Sequence, residues 1–151
     1  EENAGTLAAS ALAEMMAELR EAPVPSVPDW EIGEAVPSDE AVVVTHNWDE
    51  VRRLMWNYVG IVRSNARLQR AAHRIENLQE EIREYYWKHL VTRDLLELRN
   101  IALIADIIVA CAASRRESRG LHYTIDYPEK DPILASDTVI RRGFEPRLRG
   151  S

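Results

Sequence analysis

The chain has 151 residues, 46% of them hydrophobic and 29% charged, which is the size and composition of one folded domain with a single core. Its net charge of −6 excludes a strong basic field, so nucleic acid is not expected as its main partner. The single cysteine, Cys111, excludes an internal disulfide and predicts a reducing, cytoplasmic compartment.

Two segments are predicted ahead of the main helices. Residues 6–21 are rich in alanine and predict a helix that fills the N-terminal segment, residues 1–21. Residues 22–46 predict an extended, proline-rich connector that ends this helix. Within the connector, the run Val42-Val43-Val44 predicts a short strand.

A second helix is predicted to begin at Asn47. Asparagine is a favourable N-cap, and Glu50 follows three residues later, as in a capping box. The helix then presents one apolar face, which consists of Val51, Leu54, Met55, Tyr58, Val59 and Val62.

The third predicted helix has the most regular pattern. Its apolar residues alternate three and four positions apart, which is the seam of a left-handed coiled coil. The seam residues are Leu68, Ala71, Ile75, Leu78, Ile82, Tyr85 and His89. Charged residues between them, such as Glu80 and Glu84, predict a solvated face.

The fourth helix is predicted to begin after Thr92, an N-cap, and to run to about Ser118, with Gly120 as its stop. Residues 101–113 are apolar nearly all round, which predicts a central helix covered on several sides. This run is too short to cross a bilayer and contains Asp106, so no membrane association is expected. The acidic start, Glu1-Glu2-Asn3, is unlike a signal peptide.

Short links predict that the second, third and fourth helices are antiparallel neighbours. The expected fold class is therefore all-α, with an antiparallel three-helix bundle over residues 47–120. A separate N-terminal helix and the proline-rich connector precede the bundle, and an irregular tail, residues 121–151, follows it. The clustered arginines, which are Arg115, Arg116, Arg119, Arg141 and Arg142, are predicted to be solvated helix ends.

Residues that carry chemistry are sparse in this chain. There is no Gly-x-Gly-x-x-Gly or Walker-type loop, so no dinucleotide-binding fold is predicted. The four histidines, His46, His73, His89 and His122, contain no i,i+4 pair and have no second cysteine near them, which argues against a metal site. No catalytic, cofactor-binding or metal-binding residue is assigned.

His122 allows two interpretations. It lies after a charged cluster and next to Tyr123, so a post-helical loop could bring it to the active site of a neighbouring domain. Alternatively, Glu117, Arg119 and Asp126 form fixed ion pairs that hold the loop on the bundle.

Two long strings give the chain a family resemblance. Residues 47–63, NWDEVRRLMWNYVGIVR, are similar to the opening of the C-terminal helical domain of L-aspartate oxidases. Residues 117–128, ESRGLHYTIDYP, resemble the segment that closes this domain, and EYY (84–86) and LELRN (96–100) also look like the family. The closing string also resembles succinate dehydrogenase and fumarate reductase flavoprotein subunits, and the resemblance covers about residues 42–130.

The resemblance implies a parent enzyme that uses FAD to oxidise L-aspartate to iminoaspartate and passes the electrons to oxygen or fumarate. Quinolinate synthase would consume the imine on the route to NAD. The first helix departs from the family's flavin-contacting segment, because residues 5–14, GTLAASALAE, lack the asparagine, the substrate-binding arginine and most hydroxyls. No cofactor is therefore expected in this chain itself.

Three functions follow as hypotheses. The first is a domain that docks on and stabilises a flavin-binding body, inactive alone, with Trp48, Trp56, Arg119, His122, Tyr123 and Tyr127 as interface candidates. The second is an independent helical module that self-associates through the seam of the third helix. The third is a small enzyme built on Glu117 and His122, which no further constellation supports.

Overall fold

The computed structural model describes residues 12–17, 26–38 and 40–149, which belong to two compact units, Glu1–Glu31 and Ile32–Ser151. In the first unit, residues 12–17 are helical and belong to helix α1, and their apolar side chains Leu12, Met15 and Met16 are about half exposed. The rest of the predicted first helix lies outside the described residues.

The second unit is built from three long helices, α2 (Ala41–Tyr58), α3 (Asn65–Lys88) and α4 (Arg93–Ser114). The predicted all-α class is confirmed. Helices α3 and α4 are antiparallel neighbours, because Gln79 donates to the carbonyl of Ala102, while Tyr86, further along α3, contacts Arg99, which is earlier in α4. Arg74 of α3 pairs with Glu50 of α2, and because only six residues link the two helices, this contact places them antiparallel.

The core lies where the three helices meet. The predicted seam of α3 is buried there, with Leu68, Ala71, Ile75, Leu78 and Ile82 at most 3% exposed. The buried residues of α4 pack against it, and the three alanines among them let the helices approach closely. These α4 residues are Leu95, Leu98, Ala102, Ala105, Val109 and Ala112.

Helix α2 begins at Ala41, so the predicted start at Asn47 is wrong. The predicted strand Val42-Val43-Val44 is wrong for the same reason, since these residues form the first turn of the helix. Val44 lies seven residues, about two helical turns, before Val51, and both side chains are buried. Packing against the core therefore stabilises helical turns that precede the N-cap signal at Asn47. Glu50 forms no capping box and instead pairs with Arg74.

Side-chain caps begin the other two helices. The Ser64 hydroxyl accepts from the Arg67 N–H at 3.2 Å, and the predicted cap Thr92 accepts from the Leu95 N–H at 3.3 Å. The connector is tied to the link between α3 and α4 at Val36, whose carbonyl accepts from the Leu90 N–H at 2.9 Å.

Helix α4 is less enclosed than its composition predicts. Leu103, Ile104 and Ile108 are 53%, 56% and 41% exposed, so the prediction that it is covered on several sides is wrong on this side. The reason is geometric, because a helix in a three-helix bundle has only two helical neighbours. Helix α4 also ends at Ser114, four residues before the predicted end at Ser118.

The region after α4 contains short elements. Strand β1 (Val62–Arg63), in the α2–α3 link, pairs in parallel with β2 (Tyr123–Thr124). A 3₁₀ turn (Pro132–Leu134) follows, and β3 (Thr138–Val139) then pairs antiparallel with β4 (Arg147–Leu148), so part of the predicted irregular tail is ordered. Within the described residues, no helix has both the length and the apolar content to cross a bilayer.

The core predicts a contrast between two leucines. Leu78→Ala should lower the free energy of unfolding by about 2–5 kcal/mol, because Leu78 is fully buried and its truncation leaves a cavity. Leu103→Ala, the matched control at a half-exposed position, should change it by less than about 0.5 kcal/mol. Urea unfolding followed by circular dichroism measures both, and equal losses would contradict this core.

Candidate functional site

The closing loop, residues 115–131, returns to the link between α2 and α3. The Tyr123 N–H donates to the carbonyl of Ile61 at 3.2 Å, and the Ile125 N–H donates to that of Arg63 at 3.0 Å. Asp126 accepts from the backbone N–H of Asn65 at 2.7 Å, where its charge also complements the helix dipole. The loop therefore completes the N-terminus of α3.

Ser118 is the polar centre of this loop. Its hydroxyl accepts from the Thr124 N–H at 2.9 Å and donates to the carbonyl of Tyr127 at 2.8 Å, while its own N–H donates to the carbonyl of Glu129 at 3.0 Å. Ser118 and Thr124 are both buried, so these bonds satisfy backbone groups that water cannot reach.

Glu117 is a fully buried carboxylate held by two arginines. Arg115 donates to its Oε1 at 2.7 Å, and Arg119 donates to both oxygens at 2.9 Å. The N–H of Asp131 donates to Oε2 at 3.0 Å. The hydrogen bonds from Arg119, then those from Arg115 and Asp131, outweigh the opposing effect of burial and lower the pKa of Glu117 to about 2.

Arg115 also reaches the tail. Its guanidinium donates to the carbonyls of Leu134 and Ser136 at 3.0 Å each and to the Thr138 hydroxyl at 2.8 Å. Its side chain is 15% exposed, so the prediction of a solvated helix end is wrong for Arg115. Helix α4 has already ended here, and the arginine points to the oxygen-rich loop that follows it.

His122 is paired with Arg63 of β1. A guanidinium nitrogen of Arg63 lies 2.7 Å from His122 Nδ1. Because a guanidinium can only donate, Nδ1 must accept, and the neutral ring then carries its proton on Nε2. Burial, and then the charges of Arg63 and Arg115, lower the pKa of His122 below its ordinary value of 6.5.

His122 Nε2 is buried and finds no hydrogen-bond partner among residues 12–17, 26–38 and 40–149. A turn with Gly120 at φ +58° sets its position, and that backbone conformation favours glycine. Beside it, a cleft of about 630 Å³ is lined by Arg115, Arg119, His122, Ala135, Ser136, Asp137 and Thr138.

The Glu117 carboxylate and its two arginines form a structural ion pair. Glu117 remains ionised far below neutral pH, so it cannot exchange protons as a general acid or base near pH 7. Both arginines of the cleft already bind Glu117. In the described part of the chain, no group of three His, Cys, Asp or Glu residues is arranged to hold a metal ion.

The structure brings four of the six interface candidates into one loop. Arg119 and His122 exchange backbone hydrogen bonds at 2.8 and 3.1 Å, Tyr123 lies in β2 with 41% exposure, and the Tyr127 carbonyl binds Ser118. The two tryptophans lie on α2. Trp48 packs against the core and is half-buried, whereas Trp56 is 85% exposed.

Of the two interpretations of the loop, the fixed ion pair is confirmed for Glu117 and Arg119. Asp126 has a different role, as the cap of α3. Sequence analysis missed Arg63 as the partner of His122, since the two are 59 residues apart and no local pattern links them. The placement of Ser118 was also missed, because a lone serine carries no signal of its distant backbone partners.

Comparison with known proteins identifies a family and relatives that match most of this chain. The family described as "Fumarate reductase flavoprotein C-term" matches residues 48–142. L-aspartate oxidase of Pseudomonas aeruginosa is 55% identical over 134 residues, which are 88% of this chain and 25% of that protein. L-aspartate oxidase 1 of Ralstonia nicotianae is 58% identical over 112 residues, which are 74% of this chain and 21% of that protein.

A solved structure shows the same fold. A variant of E. coli quinol fumarate reductase FrdA aligns with 99% of this chain and 25% of its own, with a TM-score of 0.58 and 19% identity. The chain thus spans about a quarter of that subunit, as it does of the Pseudomonas aeruginosa relative.

Glu117 predicts an acid-dependent loss of stability. Its folded pKa of about 2 lies below the ordinary 4.5, so its stabilisation is complete above pH 4.5 and is lost as the pH falls towards 2. Glu117→Gln should lower the free energy of unfolding at neutral pH and flatten its dependence on pH in this window. Urea unfolding at a series of pH values tests this, with Glu80→Gln on the exposed face of α3 as control. If the free energy of unfolding of Glu117→Gln depended on pH in the same way as that of the unmutated chain, the prediction would be refuted.

The Arg63 contact predicts the direction of a titration shift. In Arg63→Gln the pKa of His122 should rise, because a neighbouring positive charge is removed. In the unmutated chain, His122 is more easily protonated in the unfolded state than in the folded state. The free energy of unfolding should therefore decline as the pH falls below 6.5. NMR of the imidazole measures the pKa, and Arg67→Gln, an exposed arginine of α3, is the control. No upward shift in Arg63→Gln would contradict the assignment.

Proposed function

Because the chain belongs to the fumarate reductase flavoprotein C-terminal family, we propose that it is the C-terminal helical portion of an L-aspartate oxidase. The observation that carries this proposal is its 55% identity, over 88% of its length, to the Pseudomonas aeruginosa L-aspartate oxidase. The chain spans a quarter of that relative, so the activity belongs to a polypeptide about four times longer.

The parent enzyme oxidises L-aspartate to iminoaspartate in the cytoplasm. Bound to the parent, FAD would supply the two-electron oxidation of the substrate, with oxygen or fumarate as the final electron acceptor. Quinolinate synthase consumes the imine in NAD biosynthesis. A succinate dehydrogenase or fumarate reductase subunit is the alternative parent, and the sequence identity favours the oxidase.

The described residues of this chain do not fit FAD by themselves. Gly33, Gly120 and Gly143 are isolated in the sequence, so they do not form the glycine-rich loop that binds the pyrophosphate of a dinucleotide. The arginines of the His122 cleft are already paired with Glu117. These observations support the proposal that FAD is held by the part of the parent that lies outside this chain.

The role of this portion is to dock on and stabilise the flavin-binding body. Two observations support a docking role for the closing loop and the end of α2. Trp56 and Tyr123 expose large aromatic surfaces, and aromatic side chains are enriched at interface centres. His122 Nε2 is a buried donor that lacks an acceptor within the described part of the chain, and an acceptor supplied by the body would remove this cost.

Self-association through the α3 seam is the weaker alternative. The seam residues from Leu68 to Ile82 are already buried against α2 and α4 within a single chain, so they are not available to a second copy. A small enzyme based on Glu117 and His122 has less support still, because Glu117 is fixed as an ion pair.

The purified chain should be colourless and produce no peroxide with L-aspartate, because the flavin is held elsewhere. The visible absorbance of flavin and a peroxide assay measure this. The positive control is the chain joined to the remainder of the Pseudomonas aeruginosa enzyme in place of the matching quarter, which should be yellow and active. A yellow, peroxide-producing isolated chain would overturn the docking role, and a chimera that binds flavin without oxidising aspartate would overturn the choice of substrate.

A further inference from the structure

The closing loop satisfies its polar centre with its own residues. Glu117 is bound by Arg115, Arg119 and the N–H of Asp131. The Ser118 hydroxyl likewise binds backbone groups of the loop. A surface loop that is held together in this way can separate from the rest of a domain as one unit, because its internal hydrogen bonds do not depend on the surface that it covers.

Within the described residues, a second set of hydrogen bonds holds this loop on the α2–α3 link, residues 59–64, and on the first residue of α3. Three of these bonds are made by backbone N–H groups and join Tyr123 to Ile61, Ile125 to Arg63 and Asn65 to Asp126. The fourth joins Arg63 to His122. Histidine is the side chain whose ordinary titration falls between about pH 5 and 8, so this contact is the one expected to respond to mild acid.

Arg63 is fixed on the side of α2. Its Nε donates to the carbonyl of Gly60 at 2.8 Å, and its Nη2 donates to the carbonyl of Val59 at 3.2 Å. Both carbonyls belong to residues that directly follow the end of α2. The arginine is therefore held by the bundle independently of the closing loop.

Protonation of His122 removes its contact with Arg63. In the neutral ring, Nδ1 accepts from Nη1 of Arg63 at 2.7 Å. A second ring proton would occupy Nδ1, and both partners would then be cationic donors with no acceptor between them. Because Arg63 is held by carbonyls of the link, the His122 side of the contact must move.

The charges of the closing loop do not compensate a protonated His122. Arg115 and Arg119 add positive charge to the loop, and the carboxylate of Glu117 is already shared by these two arginines. The pKa of His122 is accordingly lowered, first by burial and then by the charges of Arg63 and Arg115, against the smaller opposing effect of the carboxylate.

The tail and the end of the loop supply little counter-charge. The two clefts that His122 lines are also lined by Asp137, Glu129 and Lys130. Asp137 pairs with Arg149 at 3.2 Å, and Glu129 and Lys130 are exposed residues of opposite charge. Exposed charges are screened by water, so these groups do little to stabilise an imidazolium in the closed loop.

We propose that the contact between His122 and Arg63 is a pH-sensitive switch, in which protonation of His122 separates the closing loop from the α2–α3 link. The opened loop loses the pairing of β1 with β2 and the contact of Asp126 with the N-terminus of α3. It keeps its internal hydrogen bonds, because Glu117, whose pKa is about 2, stays ionised in mild acid.

The direction of the switch follows from proton binding. The open loop, in which His122 is free of Arg63, binds the proton more readily than the closed loop, so opening is favoured as the pH falls below 6.5. The switch is independent of the proposed function, because every group in it belongs to this chain.

Amide hydrogen exchange measured by NMR tests the switch in the 151-residue chain. Protection factors are compared between about pH 7 and 5, after correction for the intrinsic effect of pH on exchange. Those of the Tyr123 and Ile125 amides should fall by up to about tenfold per pH unit below 6.5. The amide of Thr124, which is bound to Ser118 inside the loop, and that of Leu78 in the core should keep theirs.

Two variants separate the switch from other effects of acid. His122→Gln keeps an acceptor for Arg63 but cannot titrate, so the protection of Tyr123 should no longer change with pH in this range. Arg63→Gln replaces the cation by an amide, which can accept as well as donate, and should weaken the pH dependence. His73→Gln, at an exposed histidine of α3, is the matched control and should leave the fall in protection unchanged.

Protection of Tyr123 and Ile125 that stays constant over this range overturns the switch. A fall that persists undiminished in His122→Gln and in Arg63→Gln assigns the effect to another group and overturns it as well. An equal fall at Thr124 or Leu78 means that acid unfolds the loop or the whole domain, which overturns an opening of the loop as a unit. If His122→Gln does not fold, Arg63→Gln decides between these outcomes.

Discussion

Glu117 places a negative charge in the interior, and three groups of the closing loop converge to compensate it. Arg115 approaches from the first residue of the loop, Arg119 from the turn that follows, and the N–H of Asp131 from the end of the loop. A buried carboxylate without these donors would suffer a large desolvation cost, so the loop conformation and the ionised state of Glu117 stabilise each other. The attachment of the tail to the bundle depends on the same charge, because Arg115 also binds carbonyls around β3.

The conformation that Glu117 fixes positions groups that act elsewhere. With Ser118 and Arg119 held in place, the turn at Gly120 brings His122 to Arg63 and β2 to β1. Asp126 then reaches the first residue of α3 and caps a helix that began 61 residues earlier. The ion pairs of the closing loop therefore also stabilise the bundle. The exposed aromatic residues near this loop are held in fixed positions by the same contacts.

Patterns with a short period were predictable from the sequence, and contacts between distant residues were not. The seam of α3 and the cap at Thr92 follow from residue spacing and local hydrogen bonding, and both were predicted. The start of α2 was misplaced, because burial of Val44 in the core outweighs the local capping signal at Asn47. Arg115 was predicted to be solvated because most runs of basic residues lie on the protein surface. Its partners lie up to 23 residues further along the chain, where no local pattern indicates them. The exposed side of α4 was missed because composition reports how apolar a helix is, but not how many neighbours it has.

The parallel pairing of β1 with β2 has a consequence for the order in which this domain folds. The paired residues are far apart in the sequence, since Val62 pairs with Tyr123. Bringing the two strands together therefore costs the chain entropy lost when the segment between them closes into a loop. During synthesis, α2, α3 and the beginning of α4 emerge from the ribosome as a partial bundle whose α3 lacks its distant cap. Only when residues 117–131 have been made can the buried charge be neutralised, so the last step in the folding of this bundle waits for the synthesis of the closing loop.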